Sequence, residues 1–78
     1  MSRPYIVSIV DDGCLGNQWI CDLFPDAREK AITVCQEAYP GLAAEIGEEA
    51  ISKDLTNQRF FEIDAGKWTI YINQCQLD

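Results

Sequence analysis

The stretch RFFEIDAGKWTIYINQC, Arg59 to Cys75, holds the clearest local signal in the chain. Two runs rich in aromatic and β-branched residues flank Ala65-Gly66, taken as a two-residue hairpin loop. With that loop, Asp64 faces Lys67, Ile63 pairs with Trp68, Phe61 with Ile70 and Arg59 with Ile72. Side chains alternate between faces along a strand. Phe61, Ile63, Trp68, Ile70 and Ile72 therefore share one face. The opposite face carries Phe60 across from Tyr71 and Glu62 across from Thr69. A slip of one residue would scatter the apolar set, so the turn and the pattern specify the same register.

Working outward, the other end of the chain supplies a further strand. PYIVSIV, residues 4–10, is β-branched and aromatic, and both of its faces are apolar: Tyr5, Val7 and Ile9 on one, Ile6 and Val10 on the other. Such a strand is central with cover on both sides, or central with one face turned to a partner. Asp11-Asp12-Gly13 turns the chain. NQWIC, residues 17–21, then suits a short strand pairing back on the first, or an irregular loop marked by Gly16 and Asn17.

Between these ends lie helical patterns. Phe24-Pro25-Asp26 opens a helix, with Asp26 and Glu29 at capping-box spacing. Ala27, Ala31, Val34, Cys35 and Ala38 form its apolar stripe. Tyr39-Pro40-Gly41 breaks it. A second helix is expected from about Leu42 to Asp54, with Leu42, Ile46 and Ala50 inward and Gly47 giving close packing. The expected fold is α+β: a small antiparallel sheet of three to four strands, two helices packed on one face, in the order β-(β)-α-α-β-β. One domain, 1–78, accounts for the whole chain, without repeats or linkers.

Thirteen carboxylates face six basic groups in 78 residues, for a net charge of −7. That field opposes direct binding of DNA or RNA and favours basic surfaces; it also serves solubility. Two Trp, three Tyr and three Phe can supply most of a small core. The opening Met1-Ser2-Arg3-Pro4-Tyr5 lacks the charged head and long apolar core of a secretory signal, and no apolar run approaches the ~20 residues that span a bilayer. The expectation is a cytoplasmic protein, away from membranes, with reduced thiols.

CLGNQWIC, Cys14 to Cys21, poses the question of metal or disulfide. With Cys35 and Cys75, the gaps are six, thirteen and thirty-nine residues, and the chain has no histidine. Structural zinc and iron–sulfur sites use tighter knuckles, so no metal or cofactor is expected. Three disulfide pairings are open on paper, with Cys14–Cys21 the easiest if residues 14–21 loop back. The alternative is free thiols: Cys35 as a small core hydrophobe, Cys75 near the surface. Without histidine there is no hydrolytic triad. Gly13 and Gly16 form no phosphate loop, and Asp11-Asp12 lacks the ligand periodicity of a calcium loop. The chain reads as a non-enzyme.

The residues left to carry function are acidic and aromatic. Glu45, Glu48 and Glu49 fall on one face of the expected second helix, with Asp54 beyond them; a solvated face is the plain alternative. Asp11, Asp12, Asp22 and Asp26 form a second acidic group. Phe60 and Tyr71 sit opposite the hairpin's core face, where an open patch would mark a partner surface. In size, acidity and layout, with the acidic GLAAEIGEEAISKD (residues 41–54) and the compact RFFEIDAGKWTIYI hairpin (residues 59–72), the chain resembles small phage or mobile-element proteins that inhibit bacterial defence machinery, anti-CRISPR proteins among them. The resemblance implies a stoichiometric inhibitor that occupies a basic nucleic-acid-binding surface of a protein or ribonucleoprotein complex. A small homodimeric structural or interaction protein, joined through the Phe60/Tyr71 face or an edge strand, is the alternative.

Overall fold

The computed structural model describes residues 3–75; the Met1-Ser2 of the opening lies outside them. Two strands, β1 (Tyr5–Asp11) and β2 (Cys14–Cys21), are followed by three helices, α1 (Phe24–Ala38), α2 (Pro40–Ile46) and α3 (Glu48–Gln58), and then by β3 (Phe60–Ile63) and β4 (Trp68–Gln74). The strands form one antiparallel sheet in the order β2-β1-β4-β3. β1 is central, as its doubly apolar pattern implies. The β3–β4 register is the one that the hairpin pattern specifies, with Phe61 opposite Ile70 and Ile63 opposite Trp68. Ala65 and Gly66 both take positive φ (56° and 87°) and Lys67 N–H donates to Asp64 O at 3.1 Å, which closes the tight turn.

The helices lie on one side of the sheet: α1 packs on β1, β2 and β4 and α3 on β3, while α2 packs on α1 and α3. That face is built in rows across the strands: Trp19, Val7 and Ile72; Ile9, Ile70 and Phe61; Trp68 and Ile63. Ala27, Ala31, Ile32, Val34 and Cys35 of α1, Ala43 of α2, and Ile51 and Leu55 of α3 complete the core. Tyr39 meets Trp68 edge-on at 5.4 Å between ring centroids, and Tyr5 meets Phe24 at 5.6 Å. Small alanines along α1 let its axis approach the sheet, so the large side chains of β4 fill the gap.

Five expectations are corrected. β2 is a full strand from Cys14, not a short one from residue 17. It absorbs Gly16 and Asn17 through an irregularity opposite Ile9, where the register with β1 shifts between Ser8 and Val10. Asp26 does not cap α1: the cap position is Leu23, without a side-chain hydrogen bond, and Asp26 lies in the first turn. There its charge suits the positive end of the helix dipole. The single helix expected over 42–54 is two helices, α2 and α3. Gly47 at φ 95°, ψ 141° separates them, a conformation that essentially only glycine adopts. Nothing lies within 4 Å of the space a Cβ would fill there, so Gly47 is a break and not a packing contact. The break also changes the phase of the apolar stripe. Leu42, Ile46 and Ala50 face solvent, while Ala43, Ile51 and Leu55 are buried.

Candidate functional site

The second face of the sheet carries no helix. Its rows read Leu15, Val10, Thr69 and Glu62; Gln18, Ser8, Tyr71 and Phe60; Ile20, Ile6 and Asn73. Ile20 is 72% exposed, Leu15 65% and Tyr71 36%. Ile6, Val10 and Phe60 are half-buried beside them. Glu62 is the one charged side chain among the strand positions of this face. A polar seam runs through its middle: Gln18 Nε2 donates to Ser8 Oγ at 3.2 Å, and Thr69 Oγ1 to Gly66 O at 3.4 Å. Ser8 and Thr69 are themselves buried, under the larger side chains around them. Phe60 and Tyr71 are brought together as expected, with ring centroids 5.9 Å apart and planes tilted by 39°.

The acidic residues are distributed differently from the single helical cluster expected. Glu45 ends α2, whereas Glu48 and Glu49 open α3 beyond the Gly47 break; all three are exposed. Glu48 and Glu49 line a shallow groove of about 570 Å³ between α1 and α3, together with Glu29, Arg28 and Lys53. Its charge is therefore mixed. Asp54 is half-buried farther along α3. Asp11 and Asp12 are exposed at the β1–β2 turn. This turn abuts the β3–β4 turn, since Asp12 N–H donates to Lys67 O at 2.7 Å. Asp64 thus lies at the same end of the sheet as Asp11 and Asp12, with Lys67 between it and Asp12, an arrangement that only the strand order reveals.

Basic side chains are drawn onto aromatic rings. The Arg59 guanidinium lies 4.0 Å from the Phe24 centroid, with Arg28 at 5.7 Å from the same ring, and Lys30 Nζ lies 5.2 Å from Trp19. Ring faces attract cations. These three bases are held against the molecule's own aromatics, which leaves exposed carboxylates to dominate its outer field.

The four cysteines are free thiols. Cys14 and Cys21 stand at opposite ends of β2 and so about 20 Å apart at the rise of an extended strand. The intramolecular Cys14–Cys21 disulfide is thereby ruled out, since bridged Cα atoms lie within about 7 Å. Cys35 is fully buried in α1, and burial pushes its thiol up to about 11. Among the described residues no group of three or more Cys, Asp or Glu gathers closely enough to hold a metal ion, and no helix is long and apolar enough to cross a membrane. Comparison with protein-family models, with curated proteins and with solved structures returned no match.

Proposed function

We propose that this chain is a non-enzymatic binding protein that acts by occupying a partner's surface. The observation that carries this proposal is the uncovered sheet face, with apolar side chains set around a hydrogen-bonded polar seam. Exposed apolar patches of this kind mark interaction sites, and aromatic pairs such as Phe60 and Tyr71 are favoured anchors. Net charge selects the partner: a −7 chain is steered to a basic surface. The partner class that fits is a nucleic-acid-handling complex of a bacterial defence system, of the CRISPR type, whose basic site the protein blocks stoichiometrically. Asp11 and Asp12 at the turn end, and Glu45, Glu48, Glu49 and Asp54 on the helices, supply the carboxylates.

A tagged pull-down from nuclease-treated bacterial lysate, washed at low and then high salt, tests this. One nucleic-acid-handling complex is expected, lost at high salt because exposed charge pairs are screened, and unable to bind its nucleic acid when saturated with the protein. Glu45→Lys/Glu48→Lys/Glu49→Lys and Phe60→Ala/Tyr71→Ala are each expected to abolish capture while the fold is kept. Normal binding by both variants would sink the proposal.

A further inference from the structure

The two edges of the sheet are unequal. β3 has four residues, includes Glu62, and is followed by Asp64 and preceded by Arg59. β2 has eight residues, CLGNQWIC, with no charge and no proline. Edge strands are ordinarily blunted by charge, proline, shortness or a bulge; β2 has only the last, the irregularity at Gly16-Asn17 opposite Ile9. It also holds the two most exposed large apolar side chains of the described residues, Ile20 and Leu15.

The direction of its backbone groups follows from the ladder. Asp12 N–H donates to Lys67 O, and Cys75 N–H to Pro4 O. Even-numbered residues of β1 therefore exchange hydrogen bonds with β4, and odd-numbered ones with β2, because the bonding direction alternates along a strand. Tyr5, Val7 and Asp11 bind Cys21, Trp19 and Cys14. Leu15, Gln18 and Ile20, opposite even residues, point their N–H and C=O groups outward.

We infer that β2 pairs antiparallel with β2 of a second copy of this chain, across a two-fold axis, to make a continuous eight-stranded sheet. In a regular strand an odd number of positions separates opposite faces, so Leu15 and Ile20 would point apart. The irregularity at Gly16-Asn17 cancels this, and both stand on the helix-free face with outward backbone groups. Setting Leu15 opposite Ile20 of the partner subunit then satisfies face and hydrogen bonding at both ends at once. The same register uses all eight residues. It sets Gly16 against the partner's Trp19, where the missing side chain leaves room, and Cys14 against the partner's Cys21. Charge supports self-pairing here: within a −7 molecule this strand places no carboxylate opposite another. Only Asp12 and the partner's Asp22 approach, at the ladder ends, so the dimer tightens as salt rises. The Phe60/Tyr71 half of the face, on β3 and β4, is not used, so this inference stands apart from the partner proposed above.

Sedimentation equilibrium of the reduced protein, over a concentration series and at two salt concentrations, tests it together with disulfide mapping. The expected result is reversible dimerisation strengthened by salt. Diamide should then trap Cys14–Cys21 disulfides: each pair of thiols loses two protons and two electrons, which reduce the diazene to the hydrazine. Because the two cysteines of one copy are too far apart to bridge, a Cys14–Cys21 linkage can come only from two chains. Leu15→Lys and Ile20→Glu are each expected to weaken the dimer by about tenfold or more, and mixing them should restore a heterodimer through one Lys–Glu pair. A monomer at all concentrations, a dimer indifferent to both substitutions, or a disulfide map lacking Cys14–Cys21 would overturn the inference. The mapping uses the unaltered sequence, so it decides even if a variant fails to fold.

Discussion

The two faces of the sheet are made by the same four strands and have opposite fates. On β4, Ile70 is fully buried beneath the helices, while Tyr71, the next residue, is 36% exposed on the other side. Both are large and largely apolar, so composition does not separate them. What separates them is that all three helices follow β2 and return before β3, covering one side only. A face that none of the described residues covers gains burial from another molecule. That is the physical basis for reading this protein as a binder.

The sharpest way to break the contrast is a matched pair of truncations. Ile70→Ala removes a fully buried side chain and leaves a cavity, and is expected to cost about 2–5 kcal/mol by denaturant unfolding. Tyr71→Ala, one residue on, is expected to cost about 1–2 kcal/mol, from partial burial and its contact with Phe60. Comparable losses would mean that the second face is covered after all.

The covering layer has its own weak point. At Gly47, where the backbone is tolerable only to glycine and no neighbour obstructs a Cβ, Gly47→Ala is expected to cost about 1–3 kcal/mol through strain alone. Thermal melts should show the loss without any change in the open face. A neutral result would mean that α2 and α3 are readily joined.

Cys35, under the helices, gives a pH signature. Its folded-state value, raised from 9.0 to about 11, means that the thiol ionises more easily once the chain unfolds. Its contribution is complete below pH 9 and is lost as pH rises from about 9 to 11, amounting to roughly 1–3 kcal/mol. Cys35→Ala should flatten that part of the stability profile. Unchanged slopes would place the cause elsewhere.

The smallest effect is expected outside both faces. Reversing Glu45, Glu48 and Glu49 to lysine should cost about 1 kcal/mol, since exposed charges contribute little to folding but Glu48 and Glu49 stand in the first turn of α3, at the positive end of its dipole. A large loss would make these residues structural, and no longer available as a binding surface alone.

Much of this architecture is legible residue by residue. The hairpin register, the centrality of β1, the stripe of α1 from Ala27 to Cys35 and the juxtaposition of Phe60 with Tyr71 all follow from alternation and helical periodicity, because each is imposed within a few residues by pleat, turn or helix pitch; Ala38, expected on that stripe, is exposed, and Ile32, not expected on it, is buried. The Gly47 break was not legible: GLAAEIGEEAISKD satisfies helical periodicity throughout, and the stripe over Leu42, Ile46 and Ala50 is locally as good as the one the core selects. The strand character of Cys14 to Gly16 was equally hidden, since glycine and asparagine there suit a loop until β1 offers a partner. Asp64 at the same sheet end as Asp11 and Asp12, across Lys67, and an uncharged edge at β2 depend on which strand lies next to which.

The elements whose hydrogen bonds and side-chain periods close locally, and the acidic net charge, are written in the order of the residues. Which sheet face is covered, which strand is left at the edge and which charges share a neighbourhood are set by packing. These depend on chain crossings and on contacts between residues far apart in sequence, where burial is shared among elements and no local pattern records it.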